Sequence, residues 1–112
     1  MSDHYLKVSG STNVLEGSET GFIQANQSDS PSQKFDFTPN SSGFQKIQCL
    51  NGTYWKYTAN GVVLTPKNRQ ADKFKVTFNT TSNDYEIFCE EYQGGNTPLT
   101  IAGANEFDLQ NV

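Results

Sequence analysis

Three short words recur along this chain: Lys34-Phe35-Asp36-Phe37, Lys73-Phe74-Lys75-Val76 and Glu106-Phe107-Asp108-Leu109. Each alternates charged and apolar residues, the pattern of a strand with one face buried, because successive side chains of a strand point to opposite faces. Each word also closes a segment rich in Gly, Asn, Ser and Thr, so the 112 residues divide into three imperfect copies, spanning 1–43, 44–84 and 85–112. Copies of roughly 40 residues with about four short strands apiece, each covering its neighbour's apolar face, predict a closed threefold barrel with a hairpin cap.

The repetition extends beyond the words. Six residues lead from Leu15 to Gly21 and six from Trp55 to Gly61, followed by Phe22-Ile23 and Val62-Val63. In the last copy Leu99 takes the place of Leu15 and Trp55, but Gly103 follows after only four residues and Phe107 after four more, against thirteen from Gly61 to Phe74. The third copy is therefore shortened by about a strand and its turn, and the uncovered edge there is the expected face for a homodimer.

A chain of this size buries roughly two thirds of its unfolded surface, enough for one core without a metal or a disulfide, so a single domain is expected over 1–112. Asn60-Gly61 reads as a hairpin turn, and no long helical periodicity interrupts the all-β pattern. The two cysteines sit in matching contexts, Ile47-Gln48-Cys49 and Ile87-Phe88-Cys89. Equivalent strands around a threefold axis lie too far apart for a disulfide, so two buried free thiols are expected. The chain shows neither a secretion signal nor an apolar run of about 20 residues, which points to the cytosol.

Chemistry-bearing residues are sparse. His4, the only histidine and placed near a flexible start, cannot activate a distant Ser or Cys or complete a four-ligand zinc set with two cysteines. Glu90 and Glu91 are neighbours and on a strand would face opposite ways, so they cannot form an acid/base pair. Gly94-Gly95 lacks the lysine of a phosphate-binding loop. No enzyme, cofactor or metal is expected.

Charge and aromatic residues carry the binding candidates. Lys46, Lys56, Lys67, Arg69, Lys73 and Lys75 place six of the eight basic residues in the middle copy, where the span from Lys46 to Lys75 is locally +5 against −9 elsewhere and −4 overall. Such polarity suits an anionic partner, while the acidic whole chain argues against general nucleic-acid binding. Trp55 aligns with Leu15 and Leu99 and is expected in the core with its indole N–H on a carbonyl. Tyr57 and Tyr92 are then the candidate exposed rings for a sugar face, with Asn51, Asn60, Asn96 and Asp84 as candidate partners for its hydroxyls.

The run Asn51-Gly52-Thr53-Tyr54-Trp55, then Thr58-Ala59-Asn60-Gly61 and Phe74-Lys75-Val76, resembles the repeat unit of fascin-type and hisactophilin-type β-trefoils. The resemblance is clearest over 44–78, weaker over 6–37, and partial from Tyr85 onward. It implies a β-trefoil in which six strands form a barrel and six a hairpin cap. It also implies actin binding, but one trefoil offers one surface where crosslinking needs two, and one histidine cannot form a histidine-rich pH sensor. The Gln-x-Trp motif of ricin-type lectins is absent. The expected function is a small cytosolic lectin-like trefoil that binds a glycan or glycoprotein. The alternative is an adaptor for F-actin or an anionic membrane surface through the basic middle copy. A protease inhibitor presenting the loop from Pro66 to Asp72 comes third.

Overall fold

The computed structural model describes residues 2–112. They form ten strands: β1 Ser2–Val8, β2 Asn13–Ser18, β3 Gly21–Asn26, β4 Phe35–Phe37, β5 Gln48–Cys49, β6 Tyr54–Thr58, β7 Gly61–Thr65, β8 Phe74–Asn79, β9 Asp84–Cys89 and β10 Phe107–Asn111. Short 3-10 turns at Pro31–Gln33, Asn68–Gln70 and Gln93–Gly95 are the only helical pieces among the described residues. The fold is all-β and every strand pairing is antiparallel. No helix of the described residues is long and apolar enough to cross a membrane.

The three charged-apolar words become β4 and the first residues of β8 and β10, with Phe35, Phe37, Phe74, Val76 and Phe107 buried and Leu109 partly so. Their pairings run in a continuous path, β5 to β4 to β1 to β10 to β9 to β8. The two ends of that path meet just before β5. There Gln45 bridges Phe74, with reciprocal backbone hydrogen bonds of 2.8 and 2.7 Å. The ladder thus returns to its start, leaving no free edge along that ring.

Hairpins fill the intervals. β2 pairs β3 with Leu15 opposite Gln24, and β6 pairs β7 with Trp55 opposite Leu64. The turn residues of the second hairpin are Ala59 and Asn60, one position earlier than Asn60-Gly61, and Gly61 supplies the positive φ of 116° that lets the strand re-enter the ladder. The shortened third copy keeps a miniature hairpin, a bridge between Ile101 and Ala104, turned by Ala102 and Gly103 at φ of 52° and 79°.

The core takes side chains from all three copies. Trp55 stands at its centre with its ring centroid 4.9 Å from Phe22, 5.2 Å from Phe35 and 5.4 Å from Phe74, each in an edge-on arrangement. Trp55 is fully buried as its alignment predicts, but its indole Nε1 reaches no carbonyl and has no hydrogen-bond partner. Cys49 and Cys89 are buried free thiols. His4 is not in a flexible start: it lies within β1, in phase with Leu6 and Val8, and is 5% exposed. Its ring sits 4.8 Å from Phe37, and burial lowers its pKa.

Candidate functional site

The chain segment at Gln45, β8 and β9 lie side by side, and their register sorts the side chains. Phe74, Val76, Ile87 and Cys89 point into the core. The alternate positions, Lys73 just before β8, Lys75 and Thr77 on it, Glu86 and Phe88 on β9 and Glu90 just after it, form the outer face. The Gln45–Phe74 bridge sets Phe44 across from Lys75 and Lys46 across from Lys73. Phe44, Lys75 and Phe88 therefore form one row across three adjacent strands. The Lys75 Nζ lies 4.5 Å from the Phe44 ring centroid, a cation–π contact.

The turn after β9 completes the site. Gln93, Gly94 and Gly95 adopt φ of 54°, 64° and 80°, three left-handed residues in succession. The reversal brings Gly95 beneath Phe44, so close that a Cβ there would run into the ring. Asn96 ends the turn. Lys75, Thr77, Phe88, Gly95 and Asn96 line a cleft of about 250 Å3. Aromatic carbon, an ammonium, a hydroxyl and a carboxamide thus meet in one recess, the mixture that recognises a polar ring with apolar edges.

A basic flank adjoins it. Lys46 Nζ donates to the backbone oxygen of Asn68 at 3.0 Å and to its side-chain Oδ1 at 2.8 Å. That link fixes the 3-10 turn of the loop from Pro66 to Asp72, which carries the exposed Lys67 and Arg69. Lys56 stands apart on the β6–β7 hairpin, opposite Val63. Among the described residues the one ion pair joins Lys34 and Asp29. None of the six basic residues of the middle copy has a carboxylate partner.

Of the residues proposed for a sugar site, only Asn96 enters this cleft. Tyr57 and Tyr92 do come together, with ring centroids 5.7 Å apart, each half-buried against the core and away from this cleft. Asn51 Oδ1 accepts from the Thr53 backbone N–H at 3.0 Å and shapes its own turn. Asn60 lies at the hairpin tips, bordering a separate cleft of about 260 Å3 that contains no charged side chain. Asp84 accepts from Ser9 Oγ at 2.7 Å. Phe44, Thr77 and Phe88 were not foreseen. A signal for Phe88 exists in the sequence: Ile87-Phe88-Cys89 places three apolar residues in succession on a strand, so the middle one must face outward.

Among the described residues no group of three or more His, Cys, Asp or Glu side chains gathers as a metal site would require. Ser2 Oγ lies 2.8 Å from His4 Nε2, but His4 Nδ1 has no partner, so the pair lacks the group that orients the base in a nucleophilic triad. No protein-family model matches this chain, and no curated protein matches it.

Proposed function

We propose that this chain is a non-enzymatic, single-domain β-trefoil that binds carbohydrate through the face built from Phe44, Lys75, Phe88 and Asn96. The trefoil reading is supported by the ladder that returns to its start and by the three hairpins, one per copy. The sugar reading rests on the cleft lined by Lys75, Thr77, Phe88, Gly95 and Asn96. The Phe88 ring takes the apolar side of a pyranose, and the amide, hydroxyl and ammonium take its oxygens. The two buried thiols suit a reducing, cytosolic setting.

A glycan array with the labelled protein tests this reading. Phe88→Ala and Asn96→Ala should abolish the signal while changing stability by no more than about 1 kcal/mol, the range for side chains outside the core. Tyr57→Ala should do the reverse, lowering stability and sparing binding. A blank array, or binding indifferent to Phe88 and Asn96, refutes it.

The absence of carboxylate partners around Lys46, Lys67, Arg69 and Lys73 favours a second reading, an adaptor on F-actin or an anionic membrane. Salt-sensitive co-sedimentation together with a blank glycan array would select it. Pairing of two copies at the shortened third repeat would supply the bivalency that crosslinking or agglutination requires.

A further inference from the structure

We infer that the ligand is an acidic glycan, carrying carboxylate or sulfate groups, whose chain starts in the cleft at Phe88 and continues over Lys73 and Lys46 toward Lys67 and Arg69. The inference rests on the carbohydrate reading and specifies its ligand class.

The first argument is how the cations are held. Lys46 is fixed by the carbonyl and carboxamide oxygens of Asn68, and Lys75 by the Phe44 ring. Both partners are neutral, so each lysine is positioned while its charge stays uncompensated. A lysine on an ordinary surface is either free to wander or paired with an acid. The ordering entropy that binding normally costs is therefore already met at these two positions.

The second argument is spacing. Lys73, just before β8, and Lys75 on it lie two residues apart on one face, about 7 Å along the chain, and Lys46 lies on the neighbouring segment bridged at Gln45, about 5 Å away. These separations fall within the screening length of about 8 Å at physiological ionic strength, so the charges reinforce one another. The nearby acids, Asp72, Glu86 and Glu90, form no ion pair with these lysines. Asp72 Oδ2 accepts from the Tyr57 backbone N–H at 2.7 Å, and Glu86 Oε1 accepts from Asn79 Nδ2 at 3.1 Å. Glu90 is exposed and sits directly across from Lys73, whose carbonyl accepts from the Glu90 backbone N–H at 3.1 Å.

The third argument is shape. The positive track leads out of a recess that combines Phe88, Thr77 and Asn96, and a flat acidic surface would leave that recess unfilled. A flexible polyanion with ring-shaped units meets both parts.

The test is titration of a heparin oligosaccharide, an oligogalacturonate and a neutral cello-oligosaccharide into the intact protein at low and physiological salt. At least one acidic ligand should bind, with affinity falling about tenfold or more as salt rises. The combined Lys46→Gln, Arg69→Gln, Lys73→Gln variant should weaken it by a similar factor, whereas Lys7→Gln, on the opposite charge domain, should not. Neutral and acidic ligands bound equally, with no salt dependence, would overturn the acidic class and leave the carbohydrate reading standing. An equal loss in Lys7→Gln would assign the effect to net charge and also overturn the inference. Failure of every glycan, with pelleting on F-actin or anionic vesicles, would overturn both readings.

Discussion

Gly95→Ala probes the join between fold and site. Gly95 has φ of 80°, and a Cβ built on it collides with the Phe44 ring. Gly94 beside it has φ of 64°, yet its Cβ would meet only Asn96 Nδ2 at an ordinary 3.5 Å. Placing an L-residue in the left-handed region costs roughly 1 kcal/mol in either case. At Gly95 the ring must also move, which adds about 1 kcal/mol of overpacking, at the low end because Phe44 can shift toward solvent. Its movement also forfeits the contact with Lys75, about 0.5 kcal/mol at an exposed site. The expected losses are therefore about 1 kcal/mol for Gly94→Ala and about 2.5 kcal/mol for Gly95→Ala, or Tm decreases of roughly 4 and 10 °C for a domain of this length. Denaturant and thermal melts of both variants measure this directly. Combining Gly95→Ala with Phe44→Ala should remove most of the excess, a coupling that a double-mutant cycle reads out. Equal losses at the two glycines, or an excess that persists without Phe44, would refute the placement of the ring over the turn.

Other consequences follow from strained or buried groups. Ala102 holds φ of 52° in the third hairpin, so Ala102→Gly should raise stability by about 0.5 kcal/mol in denaturant melts, the gain in φ freedom exceeding the entropy glycine adds to the unfolded chain. Burial lowers the pKa of His4, so the folded state binds a proton less readily than the unfolded chain. Its contribution is present above the unfolded value of about 6.5 and is lost as pH falls below it; Tm should decline from pH 7 to 5, and His4→Phe should flatten that decline. Burial pushes the Cys89 thiol up to about 11 and Cys49 in the same direction, so neither should react with a thiol reagent at pH 8 until denaturant is added.

Much of the architecture is written locally. Phe35 and Phe37 flank Asp36 with the period of a strand, and Gly21 and Gly61 mark the points where the first two hairpins turn back, so the repeat and the all-β character follow from spacing alone. His4 was misplaced by its nearness to the terminus, although its phase with Leu6 and Val8 is that of the buried face of β1. The site was legible only in pieces. The neighbours of Lys75 depend on the bridge between Gln45 and Phe74, a non-local pairing that no local pattern encodes. The pairing of Tyr57 with Tyr92 joins two copies and likewise has no local signal. The Asn51 and Asp84 side chains are engaged by a turn and by a hydroxyl from another copy, the common fate of such residues near β-turns, while Asn60 stands exposed at a hairpin tip.

The central claim is that ligand is held on the outer face of β8 and β9, beside the Gln93–Gly95 turn. The most direct test is to follow backbone amide chemical shifts by NMR while titrating a bound glycan into isotope-labelled protein. The predicted perturbations cluster at Phe44, Lys75, Thr77, Phe88, Gly95 and Asn96 and extend to Lys73 and Lys46. Perturbations centred instead on Asn60 and the hairpin tips, or on Asn51, would contradict the account and move the binding site to another face of the protein.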